Sequence, residues 1–549
     1  MQELADSPSE AEFAIVVGGS MDLDIDIVDR SCIYRAFPNW CASMGPCRHR
    51  WISGITRFAA EYCPFSWSSA CSGSELYIKA LQDCCDYLRD TFGIQLDLTF
   101  KFACDNDKQV DKWTSSQFPE LRLMFDDIAD LTSFKAVNKR TSEYVIVPES
   151  DAFACGFSCL AKTPLNRNRS SNHSCIQDGT PTSTTDTFIG AKAWMVKSRP
   201  LLTILENLTT LEIKPEKTRI DETTDTNKKS DAEFITDTLQ SAGFNTLDIN
   251  MNASDFGSWA ARHRKKIVSI YSETLDGNKI LSDTQRFVDA MKSDWRMTGD
   301  EVLFGEEELR LLLEADSEVG RVPKKQKTQQ WHDEHRVIYE HYKLPWPPQL
   351  SDSLIDFSYM RGDGRMAECA HLFHTAFPIE ASEYGQWQSV DLQPTMSRSL
   401  GFQNTVKMDA NLADAAIRNP WARNGALNTL TGSSRFLLRK KSAVGEDLIV
   451  RLMTGVEAMR AMGWDVQHYQ HATLPLDASQ HDVLATLAGR AFSGFSFAAL
   501  ASCAMAAIGL NLQEGGRREA LDRIPAGINT DGGKGSPRSE SMYSSSESD

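Results

Sequence analysis

The sequence predicts an α/β protein with a largely parallel sheet, and three observations carry that prediction. From Phe65 onward, strand-like, turn and helix-like segments alternate in regular succession. The strand-like segments end in small residues or acids: the 69–75 turn, Asp105 and Asp127. Between about 276 and 445 the alternation gives way to irregular spacing rich in tryptophan and proline, which marks a smaller second domain.

The elements follow in order. Phe65-Ser66-Trp67-Ser68 reads as a short strand that runs into the turn Ser69-Ala70-Cys71-Ser72-Gly73-Ser74-Glu75. Leu76, Ile78, Leu81, Cys84, Leu88 and Phe92 then recur at helical spacing. Leu96, Leu98, Phe100 and Phe102 alternate with Asp97, Thr99 and Lys101, the two-residue period of a strand that ends at Cys104-Asp105-Asn106-Asp107. A helix-like segment follows, and residues 121–125 form a further short strand ending at Asp126-Asp127. Parallel sheets of this kind take ligands at the carboxyl ends of their strands, so the turn, Asp105 and Asp127 are expected on one edge. That edge suits a nucleoside cofactor: the turn admits close backbone approach, and Asp105 can accept hydrogen bonds from ribose hydroxyls.

Further along, Cys159 closes the small-residue stretch Ala154-Cys155-Gly156-Phe157-Ser158-Cys159. Glu206 follows the apolar run 201–205, and Arg262 and Arg264 stand just before Ile267-Val268-Ser269-Ile270. A thiol, a carboxylic acid and two cations, each at a strand end, are a set that can activate an electron-poor ring held near phosphates. Cys155 competes with Cys159 for the part of nucleophile. The polar residues 162–186 read as a long loop directly after Cys159, the position of a lid, and 212–231 as a second polar insertion.

A chain of 549 residues, 41% hydrophobic, is expected to form two or more domains. It opens acidic and polar, without the charged-then-apolar pattern of a secretory signal. The longest apolar run, near 495–510, is alanine-rich, falls short of a bilayer span and is expected to be a buried helix, with no membrane partner. Thirteen scattered cysteines read as free thiols of a reducing compartment. Neither Cys41, Cys47, His49 and Cys63 nor Cys369, His371 and His374 has the spacing of a zinc site. A net charge of −17 argues against a mainly electrostatic nucleic-acid binder, though basic patches stand at 262–266, 324–327 and 439–441.

Taken in order, these segments resemble the cytosine-C5 DNA methyltransferase family over about 65–275 and again about 445–510. The 69–75 turn looks like the family's cofactor-binding Phe-x-Gly-x-Gly motif, Asp105 stands where an acid binds the ribose of S-adenosylmethionine, and Asp127-Ile128 resembles the Asp-Ile that contacts the adenine. Gly156-Phe157-Ser158-Cys159 matches Gly-x-Pro-Cys with serine for proline, and Leu160 replaces a glutamine. Glu206-Asn207-Leu208 matches Glu-Asn-Val. Phe256-Gly257 with Ala260-Ala261-Arg262-His263-Arg264 resembles Tyr-Gly-x-Pro-Gln-x-Arg-x-Arg, with alanine for glutamine. Residues 454–463, with Glu457, look like Leu-Thr-x-x-Glu…Gly, and Ala488-Gly489-Arg490-Ala491-Phe492 like Gly-Asn-Ala-Val, with Arg490 for asparagine.

The resemblance implies a Rossmann-like S-adenosylmethionine-dependent core with a smaller, irregular target-recognition domain. It divides the chain into an extension at 1–60, a catalytic core at 61–275, a target-recognition domain at 276–445, a returning segment at 446–514 and a disordered, serine-rich tail at 515–549. It makes Cys159 the nucleophile toward cytosine C6, Glu206 the partner of ring N3, Arg264 the contact to the base carbonyl and Arg262 a support for the loop or a phosphate. Ser72, Gly73, Ser74, Asp105, Asp127 and Ile128 become the cofactor residues. DNA is the implied partner and RNA the alternative, since both share the ring chemistry; a catalytically silent relative that binds DNA or a protein is a third possibility. No obligate protein partner is expected. A nuclear location would follow from a DNA substrate and the 324–327 cluster.

Overall fold

The computed structural model describes residues 30–163, 175–214, 229–305, 364–392, 448–464 and 480–512, with parts of 329–348 and 421–443. Two helices, α1 (Cys32–Ser43) and α2 (Cys47–Tyr62), precede β1 (Phe65–Ala70). Helix α3 (Leu76–Phe92) leads to β2 (Leu98–Phe100), which resumes beyond Lys101 as β3 (Phe102–Cys104), and α4 (Lys108–Gln117) leads to β4 (Leu123–Phe125). A hairpin of β5 (Lys135–Asn138) and β6 (Glu143–Ile146) comes before β7 (Ala152–Cys155). Then follow α5 (Ser183–Ser198), β8 (Leu202–Asn207), α6 (Asp231–Ser241), β9 (Asn245–Asn252), β10 (His263–Ile270) and α7 (Gly277–Met291).

The sheet order is β2-β1-β7-β8-β10-β9, and the parallel pair β3–β4 carries on from β2. Strands β2, β1, β7 and β8 are parallel, whereas β10 runs antiparallel to both β8 and β9. From β1 the chain moves outward to β2 and β4, then returns on the other side of β1 as β7. The strand order therefore reverses between β1 and β7, and ligands of open α/β sheets bind outside the carboxyl ends of the strands at such a switch point.

Beyond α7, a short α8 (Gly299–Val302) and α9 (Gly364–Ala376) lead to a three-stranded antiparallel sheet of β11 (Gln388–Asp391), β12 (Phe436–Lys441) and β13 (Leu448–Leu452). This sheet and α9 share their own apolar core of Cys369, Phe373, Val390, Trp421, Leu437 and Leu452. Here Arg439, which reads in sequence as part of a solvated basic face, is buried, with its guanidinium 3.8 Å from the Trp421 ring centroid. Three more helices finish the described chain: α10 (Gly455–Met462), α11 (Gln480–Arg490) and α12 (Gly494–Leu510).

Helix α12 is the buried helix expected of residues 495–510, enclosed along almost its whole length. Its alanines and glycines leave no bulky ridge, so neighbouring helices approach at backbone distance. A Cβ on Gly54 of α2 would collide with the Ala506 carbonyl, and one on Gly509 with the Gly54 carbonyl.

That packing corrects the expected boundaries. Residues 32–62 are not an extension: Trp40, Trp51, Ile55 and Phe58 are fully buried in the main core. Trp51, Ile55 and Phe58 recur at four- and three-residue steps, the stripe of a helix that must bury one face. Helix α7, expected in the second domain, contributes Ile280, Phe287, Val288 and Met291 to the same core. Strand β13, expected in the returning segment, pairs instead with β12 of the small sheet. The tail from 515 lies outside the described residues, as does the 324–327 cluster.

Candidate active site

The switch point brings the 156–159 loop and the 69–75 turn together. Strand β7 ends at Cys155, and Gly156 follows against β1: a Cβ there would sit 2.6 Å from the Cys71 carbonyl oxygen. Asn207, at the end of β8, holds the next turn by donating Nδ2 to the carbonyls of Phe157 at 2.9 Å and Ser158 at 3.3 Å. The Ser158 amide donates to Thr187 Oγ1 at 2.9 Å, and the Cys159 carbonyl accepts from the amides of Lys162 and Thr163. Cys159 is thus fixed at a strand end and half-buried. Cys155 lies wholly in the core, where burial pushes its thiol well up and leaves it protonated and inert.

Glu206, also at the end of β8, is enclosed among cations. The antiparallel register sets Lys266 of β10 directly opposite it, and Lys266 Nζ donates to Glu206 Oε2. Arg264 Nε and Arg262 Nη2 lie 3.6 and 3.7 Å from Oε1. Burial would push this carboxyl up, but Lys266, Arg262 and Arg264 together outweigh it and hold the carboxyl below its usual range. A thiolate at Cys159 is within electrostatic reach of both arginines.

The two arginines divide their work. Arg262 is fully buried and donates to the carbonyls of Leu430, Gly489 and Ala491, so it staples the end of α11 and the 430 loop to β10. Burial, with Arg264 adding to it, pulls Arg262 down to about 9, still cationic at neutral pH. It supports the loop and has no free face for a phosphate. Arg264 engages one carbonyl, that of His263, and keeps part of its side chain accessible.

Gly73 has φ +75°, and a Cβ there would meet the Arg490 carbonyl at 2.8 Å, so this turn requires glycine. Ser72 is buried beside Glu75. Ser74, expected to bind cofactor, is instead enclosed and serves the fold: its carbonyl accepts from Trp113 Nε1 and its Oγ from Trp464 Nε1. Glu75 is fully buried; Oε2 accepts from Ser69 Oγ at 2.7 Å, and burial, only partly offset by Ser72 and Ser69, pushes the carboxyl up to about 7. Asp105, beyond β3, accepts from the Asp107 amide at 2.9 Å and is pushed by burial up to about 6. Asp127 and Ile128 follow β4 on the same edge, as expected. Asp127 is exposed and accepts from the Ala129 amide, whereas Ile128 turns into the core against Gly190 of α5.

Residues 489–492 close the site from behind. Arg490 pairs with Asp107 across the cofactor turn. The Phe492 ring lies against Gly156 and 5.0 Å from Lys266 Nζ. The two ends of the lid-like segment converge on one carboxylate. Buried Lys162 ion-pairs with Asp231, which also accepts from the amides of Ile176 and Gln177. Its centre, 164–174, lies outside the described residues. Among the described residues no group of three His, Cys, Asp or Glu side chains is arranged to hold a metal.

Lys266, Glu75 and Phe492 are the site residues that sequence reading did not single out. Lys266 belongs to the 262–266 basic run, and a basic residue at an even strand offset from Arg264 was the available signal.

No protein-family model matches the chain, and no curated protein matches it. Solved structures resemble it at low identity. The S. pombe Dnmt2 methyltransferase is 12% identical with a TM-score of 0.37, over 80% of this chain and 97% of that one. The Entamoeba histolytica methyltransferase EhMeth is 10% identical with a TM-score of 0.38, over 80% and 97%. A putative DNA modification methyltransferase encoded within an E. coli prophage is 14% identical with a TM-score of 0.37, over 80% and 98%. At this distance the chemistry has to be read from the side chains themselves.

Proposed function

We propose that this protein is an S-adenosylmethionine-dependent methyltransferase acting on C5 of cytosine in a nucleic acid, with DNA as the substrate and RNA as the alternative. The observation that carries this reading is a half-buried thiol, Cys159, placed with Arg264 and a buried ionised carboxylate, Glu206, at a switch point of the sheet.

The cofactor turn fits the implied group. Gly73 permits close backbone approach, half-buried Asp105 offers an acceptor for ribose hydroxyls, and burial raises both Asp105 and Glu75 although Arg490 partly offsets it at Asp105. S-adenosylmethionine, when bound, supplies an electrophilic methyl group on a sulfonium and brings positive charge to that turn.

The chain's own residues supply the rest. Cytosine C5 is a poor nucleophile until a thiolate adds to C6, and Cys159, half-buried on the loop after β7, is the residue that would add. Arg264 donates to the base carbonyl oxygen, where charge develops. Glu206 addresses the amino and N3 edge of the ring. A base reaches Cys159 only by leaving its duplex. A nuclear location would follow from DNA as substrate.

The test is transfer of labelled methyl to DNA and to RNA, together with trapping on 5-fluorocytosine nucleic acid, by wild type and Cys159→Ser. A covalent adduct that Cys159→Ser loses, with transfer falling on the order of 10⁴-fold or more, supports the reading. Equal transfer by both proteins rejects Cys159 as nucleophile. Binding of nucleic acid without transfer by wild type favours the silent relative, and the substrate that accepts label decides between DNA and RNA.

A further inference from the structure

Glu206 presents a chemical difficulty that its surroundings resolve. When a thiolate adds to cytosine C6, ring N3 becomes basic and needs a proton. An isolated glutamic acid supplies one only if it is protonated at the start, and Glu206 is held as a carboxylate by Lys266, Arg262 and Arg264. Among the described residues Lys266 makes the closest contact with it, nearer than either arginine.

We propose that Lys266 is the proton reservoir behind Glu206, so that N3 receives its proton from the lysine ammonium through the carboxylate. This rests on the cytosine-C5 reading above. The step balances. The Cys159 thiolate forms the S–C6 bond, the C5=C6 π pair moves to C4–C5, and the C4=N3 pair moves onto N3. N3 takes a proton through Glu206, and Lys266 is left as the neutral amine. When the S–C6 bond breaks, the proton returns along the same path, so none is consumed.

The surroundings of Lys266 suit that role. It is fully buried, and Glu206 is the only hydrogen-bond acceptor it contacts among the described residues. Its ammonium lies 5.0 and 5.9 Å from the ring centroids of Phe492 and Phe497, uncharged walls that keep out water. The charged groups facing the pair are Arg262 and Arg264 from its own strand and Cys159 from the loop after β7. Burial weakens the hold of Lys266 on its proton, and the neighbouring arginines weaken it further, while Glu206 opposes them. Arg262 is committed to the carbonyls of Leu430, Gly489 and Ala491, and Arg264 Nε lies 3.6 Å from Glu206, so neither is placed as closely to pass it a proton.

The discriminating pair of variants is Lys266→Arg and Lys266→Met. Adduct formation with 5-fluorocytosine nucleic acid is followed from pH 5.5 to 9, and the Glu206 carboxyl is titrated by infrared difference against Glu206→Gln. Lys266→Arg keeps Glu206 ionised yet loses adduct formation by about 10²–10⁴-fold at every pH, the usual share of a general acid. Lys266→Met moves the Glu206 titration upward and keeps adduct formation at the acid end of the range, where Glu206 carries its own proton, while losing it at the alkaline end. A Lys266→Arg protein as fast as wild type, or a Lys266→Met pH profile parallel to that of wild type, overturns the relay alone. An absence of any adduct in wild type overturns the cytosine reading and the relay with it.

Discussion

The two halves of the site carry opposite buried charge. At the ends of β8 and β10, one carboxylate faces three cations, and Glu206 is held below its usual range. Beyond β1 and β3, burial outweighs the cations: Glu75 and Asp105 rise to about 7 and 6, with Arg490 only partly offsetting the rise at Asp105. The first half is anion-deficient and the second cation-deficient. The difference teaches how the charge balance of each half sets what it can accommodate: the first favours added negative charge, the second added positive charge.

The halves therefore respond oppositely to pH. Glu206, with a depressed folded value, contributes stability above its ordinary 4.5 that is lost as pH falls through its folded value. Glu75 and Asp105, with raised folded values, contribute stability that is full below their ordinary 4.5 and 3.8 and is lost as pH rises through about 7 and 6.

Breaking the cation-rich half has the largest expected effect. Glu206→Ala leaves Lys266 and Arg262 buried without their counter-charge and lowers stability by about 3–5 kcal/mol, as read by urea denaturation at pH 7. An unchanged midpoint would show that the three cations do not depend on this carboxylate. The acid-rich half is the next target. Glu75→Gln removes the ionisation that burial opposes and raises unfolding stability at pH 8 on the order of 3 kcal/mol, with little change at pH 4. Denaturation of the ligand-free protein at the two pH values measures this, and an equal change at both would rule out the assigned charge state. The smallest effect belongs to the bridge between C-terminal segment and cofactor turn. The Arg490–Asp107 pair is partly exposed, so Arg490→Ala costs about 0–1 kcal/mol and the loss shrinks in high salt.

What was legible in the sequence follows from how local each signal is. The helical face from Leu76 to Phe92 and the alternation through Phe102 are written in neighbouring residues, and α3, β2 and β3 appear where they were read. That β7 and β8 end side by side, bringing the loop after Cys155 beside Asn207, follows because a parallel sheet aligns strand ends whatever connects them. Lys266 was harder. Its apposition to Glu206 depends on antiparallel register between β8 and β10, which no local pattern reveals. Ser74 misled because a small residue in a cofactor-like turn can equally serve two indoles distant in sequence, one of them Trp464. Helices α1 and α2 escaped notice because the surface that covers them, α12, is contributed by the far end of the chain.

That last arrangement constrains how the molecule is made. Arg57 of α2 donates to the Leu512 carbonyl, 455 residues away, and Gly54 meets Ala506 and Gly509 at backbone distance. At 5–20 residues per second of synthesis, α2 emerges roughly half a minute or more before its partner exists. Through that interval its apolar face has no native cover, and Phe492, which walls the Lys266 pocket, has not yet been added. The nascent chain therefore carries Cys159, Glu206 and the arginines long before α12 and Phe492 are there to enclose them.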